Sequence, residues 1–115
     1  VEVTFDPAKV TYGQLLDIFW HNIDPTDFYG QFCDRGDQYL AAIYWRDEPQ
    51  RKLAELSMRN AERRFRNVAT DIFPAGPFYA AEEDHQDYAK KNPIHYRMYR
   101  SGCRRDARLK QVWGK

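Results

Sequence analysis

An α+β fold is the class that this sequence predicts, and three observations lead to it. Strand-type and helix-type hydrophobic patterns alternate along the chain, in the order strand, helix, strand, helix, strand. The 115 residues suffice for one domain with a core of its own. Aromatic residues make up 16% of the chain and charged residues 30%, which is typical of a dense core beneath a highly charged surface.

The first two elements are defined by an alternating run and a capping motif. Residues 1–5 alternate apolar and polar side chains, which predicts a half-buried strand. Thr11 and Gln14 have the spacing of a capping box, and apolar residues follow at helical spacing, so we expect a helix from 12 to 23. Pro25 ends this helix because proline disfavours helical geometry in the residue before it.

The next elements complete a sandwich. Residues 24–38 have no period and predict a loop, whereas the apolar run 39–45 predicts a central strand buried on both faces. Acidic residues and a proline open a second helix at about 47–66, and 68–73 is the third strand. This order predicts a two-layer α/β sandwich with a ferredoxin-like core.

The C-terminal quarter is predicted to be a short helix over 82–91 followed by an extended basic tail. Nine of the residues from Lys90 to Lys115 are Lys or Arg, against the single acid Asp106. We therefore expect a core over 1–93 and a mobile basic tail over 94–115. Such a tail could bind an acidic partner, either protein or nucleic acid.

Several classes of protein are disfavoured. Two cysteines are too few for a secreted disulfide framework, and in a reducing compartment such residues are seldom structural cross-links. No apolar run approaches the ~20 residues of a membrane span, and there is no signal peptide, so we expect a cytoplasmic chain. The cysteines and histidines show no metal-ligand spacing, and we expect no bound metal or cofactor. The chain opens in a strand pattern without an initiator Met, which suggests a piece of a longer protein.

The loop from Gly30 to Tyr39 holds the first candidate site. Asp34 and Tyr39 can converge if the chain turns at Gly36, and a carboxylate with a phenol can bind a polar oxygen and a water. The alternative is that Asp34 caps a turn and Tyr39 packs in the core with its hydroxyl at the edge.

The two cysteines have different settings. Cys103 lies among arginines, which favour the thiolate, so a mobile Cys103 suits disulfide exchange; the alternative is an exposed thiol without a role. Cys33 follows Phe32, and the default interpretation is a small buried hydrophobic residue.

Several segments together resemble the peptide methionine sulfoxide reductase A family. They are Val3-Thr-Phe-Asp-Pro, Leu15-Leu-Asp-Ile-Phe-Trp-His-Asn-Ile-Asp-Pro-Thr-Asp-Phe, Gly30-Gln-Phe-Cys-Asp-Arg-Gly-Asp-Gln-Tyr, Ala75-Gly-Pro-Phe-Tyr-Ala-Ala-Glu-Glu-Asp-His-Gln-Asp-Tyr, Lys91-Asn-Pro and the ending Gly102-Cys-Arg-Arg-Asp-Ala-Arg-Leu. The resemblance covers essentially the whole chain.

The resemblance implies a reductase for the S epimer of methionine sulfoxide, free or in proteins, recycled by thioredoxin or dithiothreitol without a bound cofactor. By position, Tyr39 would donate a hydrogen bond to the sulfoxide oxygen, and Asp34 would orient water or the polarised sulfoxide. Cys103 matches the resolving thiol of the family's tail, and His85 matches a residue beside the site. A monomer with no membrane partner is expected.

The chain also departs from the family. The Gly-Cys-Phe-Trp motif that carries the nucleophile is absent, as are a second active-site Tyr and the Glu that acts as general acid. Leu40 replaces a usual Arg, and Arg104 replaces a usual Gly. We therefore expect the isolated chain to be inactive, as part of a larger reductase. The alternatives are a truncated homologue that binds without catalysis, or a nucleic-acid-binding domain that uses its basic tail.

Overall fold

The computed structural model describes residues 2–36, 39–83 and 86–114. Mixed helices and small sheets confirm the predicted α+β class. The helices are α1 (Tyr12–His21), α2 (Glu48–Arg64), α3 (Tyr88–Lys91), α4 (Pro93–Gly102) and α5 (Arg105–Trp113), and the strands are β1 (Gly30–Gln31), β2 (Asp34–Arg35), β3 (Ala42–Trp45) and β4 (Asp71–Pro74).

Helix α1 begins at the capping box that the sequence predicts. The Gln14 amide donates to Thr11 Oγ1 at 3.1 Å, and the Thr11 amide donates back to Gln14 Oε1 at 2.8 Å. Both contacts satisfy amides that a helix N-terminus leaves without partners. The helix ends at His21, two residues earlier than predicted, and the chain then turns inward so that Ile23 and Asp24 are buried.

Strands β3 and β4 form a parallel pair joined by α2. Ile43 lies opposite Ile72, and Tyr44 lies opposite Phe73. Asp47 caps α2 by accepting from the Gln50 amide at 2.9 Å. The prediction that β3 is buried on both faces is wrong. Successive side chains point to opposite faces of a strand, and Ile43 is buried whereas Tyr44, on the other face, is 59% exposed.

The core lies between α1, α2 and β3. Its buried apolar residues are Leu16, Trp20, Ile23, Ile43, Ala54 and Ala61. The Trp20 indole donates from Nε1 to Ser57 Oγ at 2.9 Å, so the polar atom of the largest core side chain has a partner on α2. This contact fixes the first two helices against each other.

One prediction for the sheet is wrong and a second is not confirmed. Residues 2–10 contain no strand: the alternating pattern at 1–5 needs a hydrogen-bonded neighbour, and the described residues supply none. The ferredoxin-like core is not confirmed either, because the described residues form two sheets of only two strands each.

The tail is helical, so the predicted extended conformation is wrong. Helix α3 spans only Tyr88–Lys91, and α4 and α5 continue from Pro93 to Trp113. Apolar residues of α5 at helical spacing are half-buried: Leu109, Val112 and Trp113. The division into a core at 1–93 and a tail at 94–115 stays a prediction. No helix in the described ranges is long and apolar enough to cross a membrane.

Candidate functional site

The candidate loop starts as a tight hairpin. Gly30 pairs with Arg35 and Gln31 with Asp34, and the turn between them is Phe32 with Cys33. A Cβ atom on Gly30 would come within 2.1 Å of the Asp34 carbonyl oxygen, so the close approach of the two strands requires glycine there. The hairpin thereby fixes the position of Asp34.

Gln31 attaches this hairpin to the end of α1. Its Oε1 accepts from the Asp24 amide at 2.9 Å, and its Nε2 donates to the Asp24 carbonyl at 2.7 Å. A side-chain amide that both donates and accepts satisfies two backbone groups of a buried residue. The loop is therefore anchored rather than free.

Asp34, Tyr39 and Tyr99 form a polar cluster beside the hairpin. A hydrogen bond with Asp34, then burial and the charges of Asp34 and Tyr39, raise the pKa of Tyr99 to about 12. Tyr39 is 42% exposed and Tyr99 is 47% exposed, so both phenols can reach solvent. The sequence alternative in which Tyr39 packs into the core does not hold.

This cluster can bind a polarised oxygen. A phenol whose pKa is well above neutrality keeps its proton and remains a hydrogen-bond donor, while the Asp34 carboxylate accepts. A semipolar S–O oxygen is a strong acceptor. The single O–H of Tyr99 is directed to Asp34, so Tyr39 is the phenol of the cluster that can donate to such an oxygen, and the Asp34 carboxylate can orient water. Tyr99 was missed in the sequence, although it lies one helical turn before Cys103.

A disulfide joins the hairpin to the end of α4. Cys33 and Cys103 are bonded across 70 positions of sequence, with their Cα atoms 5.3 Å apart. The default interpretation of Cys33 as a buried hydrophobic residue is wrong, because Cys33 is exposed and cross-linked. The helical tail returns Cys103 to the loop, which brings the two cysteines together.

Helix α5 packs on the loop through arginine and tryptophan contacts. The Arg105 guanidinium lies over the Phe32 ring, 4.3 Å from its centroid, and Nη2 donates to the Asn22 carbonyl at 2.6 Å. Trp113 Nε1 donates to the Ile23 carbonyl at 3.0 Å. Burial, then the charge of Arg100, lowers the pKa of Arg105 from its usual value. These contacts give Arg105, a basic residue of α5, partners within the chain.

An ion pair between exposed Arg108 and buried Asp24 completes this attachment. Arg108 Nε donates to Asp24 Oδ2 at 2.8 Å, and Thr26 Oγ1 donates to Oδ1 of the same carboxylate at 2.5 Å. Burial alone would raise the pKa of Asp24, but hydrogen bonds from Thr26 and Arg108 outweigh it, so the pKa lies below its ordinary value. Asp24 therefore stays ionised although it is only 4% exposed.

An open cavity of about 760 Å³ lies over the disulfide. Its lining includes Cys33, Cys103, Phe28, Phe32, Arg35, Arg104 and Arg108. Arg35 pairs with Asp27, and Arg108 pairs with Asp24. Both cysteines therefore line an open recess that combines aromatic, cationic and acidic groups.

The structure brings most of the predicted site residues to one region. Asp34 and Tyr39 both raise the pKa of Tyr99, and Cys103 lies one helical turn after Tyr99, at the end of α4. His85, predicted beside the site, lies outside the described residues. Among the described residues, no group of three or more His, Cys, Asp or Glu could hold a metal ion.

Comparison with known proteins shows which family the chain resembles. The sequence profile of the family described as "Peptide methionine sulfoxide reductase" matches residues 1–115. Peptide methionine sulfoxide reductase MsrA 2 of Caulobacter vibrioides is 53% identical over 99% of this chain and 59% of its own length. Peptide methionine sulfoxide reductase MsrA of Bacillus licheniformis is 50% identical over 100% of this chain and 65% of its own length.

Solved structures show the same likeness. The reduced form of Mxr1 from Saccharomyces cerevisiae superposes with a TM-score of 0.74 and 33% identity, over 78% of this chain and 50% of that one. Methionine sulfoxide reductase A of Corynebacterium diphtheriae gives a TM-score of 0.63 and 35% identity, over 78% and 49% of the two chains.

A fold of small sheets and helices around this polar cluster, with a profile match over the full chain, defines a reductase-family protein. The chain belongs to the peptide methionine sulfoxide reductase family. It spans 59% of the length of the Caulobacter relative and 65% of the Bacillus relative.

Proposed function

We propose that this chain supplies the oxygen-binding loop and the resolving cysteine of a peptide-methionine (S)-S-oxide reductase. The observation that carries the proposal is the convergence of Asp34, Tyr39 and Tyr99 beside Cys103 in a member of this family. The nucleophilic cysteine lies outside the sequence, because Cys33 and Cys103 are its only thiols and neither belongs to a Gly-Cys-Phe-Trp motif. The working enzyme is a cytoplasmic monomer that thioredoxin recycles, and methionine-S-sulfoxide, free or in proteins, is its substrate.

The proposed reaction assigns each group a role. Tyr39 donates to the sulfoxide oxygen and makes the sulfur more electrophilic, and Asp34 orients the oxygen or the water that leaves. A thiolate attacks the sulfur, the sulfur–oxygen bond of the sulfoxide breaks, and the oxygen passes to that cysteine, where with one proton it forms a sulfenic acid as methionine departs. The Cys103 thiol then attacks the sulfenic sulfur, so a disulfide and water form. Two thiols are oxidised for each sulfoxide that is reduced.

The principal alternative is a truncated homologue that binds sulfoxide without catalysis. The nucleic-acid alternative is not proposed, because Arg100, Arg105 and Arg108 of the tail engage Asp106, Phe32 and Asp24 within the chain.

A binding experiment tests the oxygen-binding role on this chain. Nuclear magnetic resonance titration with a peptide containing methionine-S-sulfoxide should shift resonances of Asp34, Tyr39 and Tyr99. Substituting Tyr39→Phe removes the donor and should weaken binding about tenfold, which corresponds to roughly 1.4 kcal/mol. Tyr44→Phe, on the exposed face of β3, is the matched control and should leave binding unchanged.

Two outcomes of that titration decide between the possibilities. Shifts confined to other surfaces, or equal binding by the Tyr39→Phe variant, would remove the oxygen-binding role.

We also expect the chain alone not to reduce methionine sulfoxide with dithiothreitol, because the nucleophile and general acid are missing. Turnover by this chain would contradict that expectation.

A further inference from the structure

Two faces of helix α4 have partners within the chain. Tyr99 lies on the face that meets the β1–β2 hairpin, where Asp34 is its hydrogen-bond partner. Arg100, on another face, pairs with Asp106 of α5 at 2.5 Å. Each position along a helix is rotated by about 100° from the one before, so a third face lies on the other side of Tyr99 from Arg100.

The third face of α4 carries two apolar side chains that extend into solvent. Ile94 is 70% exposed and Met98 is 68% exposed, and their spacing of four positions places one above the other on the helix surface. In the described part of the chain, they are the most exposed of the large non-aromatic apolar side chains. Together these two residues form the α4 stripe.

The α4 stripe borders the polar cluster. Met98 directly precedes Tyr99, and one turn further along the helix the stripe reaches Gly102, which lines the open cavity with Cys103. A Cβ atom on Gly102 would meet no described atom within 4 Å, so this end of the stripe is open to solvent. An apolar surface therefore lies directly beside the phenol that is bonded to Asp34.

The spacing along α4 matches that of an extended peptide. Ile94 lies five residues before Tyr99, which at a rise of 1.5 Å per residue is about 7.5 Å along the helix axis. An extended polypeptide advances about 3.3 Å per residue, so side chains two positions apart project to the same side about 6.6 Å from each other. A methionine sulfoxide bound by Tyr39, in the same cluster as Tyr99, can therefore place the side chain two residues away against the stripe.

We propose that Ile94 and Met98 are specificity-determining residues, which bind an apolar side chain of the substrate polypeptide two positions from its methionine sulfoxide. This inference rests on the proposed function, in which Tyr39 donates to the sulfoxide oxygen.

The chemistry of the stripe suits an occupant of variable sequence. The methionine side chain is unbranched, flexible and polarisable, and surfaces that contain it repack around different apolar partners. Neither Ile94 nor Met98 carries a charge that would select one particular neighbour. The stripe therefore distinguishes apolar from polar flanking residues, and it tolerates many sequences among the apolar ones.

Two peptides test this contact on the chain itself. Both have methionine-S-sulfoxide at the centre and serine on either side of it, and they carry either leucine or serine at the second position in each direction. We expect the leucine peptide to bind about fivefold more tightly in a nuclear magnetic resonance titration, because the stripe buries part of the leucine side chain. Equal dissociation constants for the two peptides would overturn the proposal.

The methyl signals of the methionines report where the leucine lies. The chain has two methionines: Met98 in the stripe, and Met58, which packs partly buried against the core. With carbon-13 in the methionine methyl groups, the leucine peptide should shift the Met98 signal and leave the Met58 signal in place. A leucine peptide that binds without moving the Met98 signal would contradict the assignment.

Polar variants separate the stripe from the oxygen site. Ile94→Gln and Met98→Gln together remove the apolar surface, and Gln favours the helix. The advantage of the leucine peptide should fall to less than about twofold, while the affinity for the serine peptide stays unchanged. Ile18→Gln, at a residue of α1 that is 58% exposed, is the matched control and should keep the full advantage. Far-ultraviolet circular dichroism checks that the variants fold, and an unchanged advantage in the folded double variant would overturn the proposal.

A different occupant of the stripe and a failure of the proposed function have their own signatures. A Met98 signal that moves as the chain is concentrated without peptide would show that a second copy covers the stripe, and would overturn the proposal. Tyr39→Phe should weaken both peptides equally and preserve the ratio of their affinities. Failure of the oxygen-binding role appears as unchanged affinities in Tyr39→Phe, whereas failure of this inference appears as equal affinities of the two peptides.

Discussion

Asp24 shows at the scale of one residue how the tail is held. Its carboxylate accepts from Thr26 and Arg108, and its backbone groups are bonded to Gln31, so one buried residue joins the end of α1, the hairpin and α5. A buried carboxylate is tolerated because its oxygens have strong donors.

Replacing Asp24 with Asn should therefore destabilise the fold. The change removes the charge that Arg108 and Thr26 stabilise while retaining the side-chain size, and we expect a loss of about 2 kcal/mol in the free energy of unfolding. Urea unfolding at pH 7 measures it. Asp17→Asn, an exposed change on α1, is the control and should fall within about 0.5 kcal/mol of the parent chain.

The same carboxylate predicts a pH dependence. The pKa of Asp24 is lowered in the fold, so its contribution is fully present above the unfolded pKa of about 3.9 and is lost as pH falls through the lower folded value. The stability difference between the parent chain and Asp24→Asn should thus shrink as pH falls below about 4. A difference that is constant from pH 7 to pH 3 would contradict the role of the charge.

Individual residues of the candidate site were only partly predictable. The spacing of Asp34 and Tyr39 around Gly36 indicates that the two side chains can converge. In the structure both raise the pKa of the same phenol, Tyr99. Tyr99 and the bond from Cys33 to Cys103 depend on the path of the chain through α4, which local patterns do not encode.

At the scale of elements, capping chemistry predicts more than hydrophobic alternation does. The side chains of Thr11 and Asp47 mark the starts of α1 and α2 because each accepts from a backbone amide of its own first turn. The alternating pattern at 1–5 fails because a strand depends on a neighbour. The prediction of an extended tail fails for the opposite reason. The charge of this segment suggests that it is solvated, yet its arginines bind Asn22 and Asp24 after α1.

The cap of α1 gives a prediction at this scale. Thr11→Ala removes the acceptor of the Gln14 amide and should cost about 1 kcal/mol in the free energy of unfolding, measured by urea unfolding. Thr11→Ser retains a hydroxyl at the same place and should be close to neutral. Equal losses in the two variants would show that the hydrogen bond is not the cause.

At the scale of the whole molecule, we propose that the polar cluster is one side of a reaction site. The family profile covers the full chain, while the chain covers 59% of the Caulobacter vibrioides relative, whose C-terminal portion it matches. The fold class and family follow from the sequence. The number of strands in the sheet does not, because strands depend on partners that the described residues do not include.

A chimera tests the central claim most directly. The N-terminal portion of the Caulobacter vibrioides relative, joined ahead of Val1, would supply the missing nucleophile and general acid to this chain. The chimera should reduce methionine-S-sulfoxide with dithiothreitol, and Tyr39→Phe should lower kcat/KM about 100-fold, with Tyr44→Phe unchanged. A folded chimera without activity, or one in which Tyr39→Phe and Asp34→Asn both retain full kcat/KM, would contradict the account.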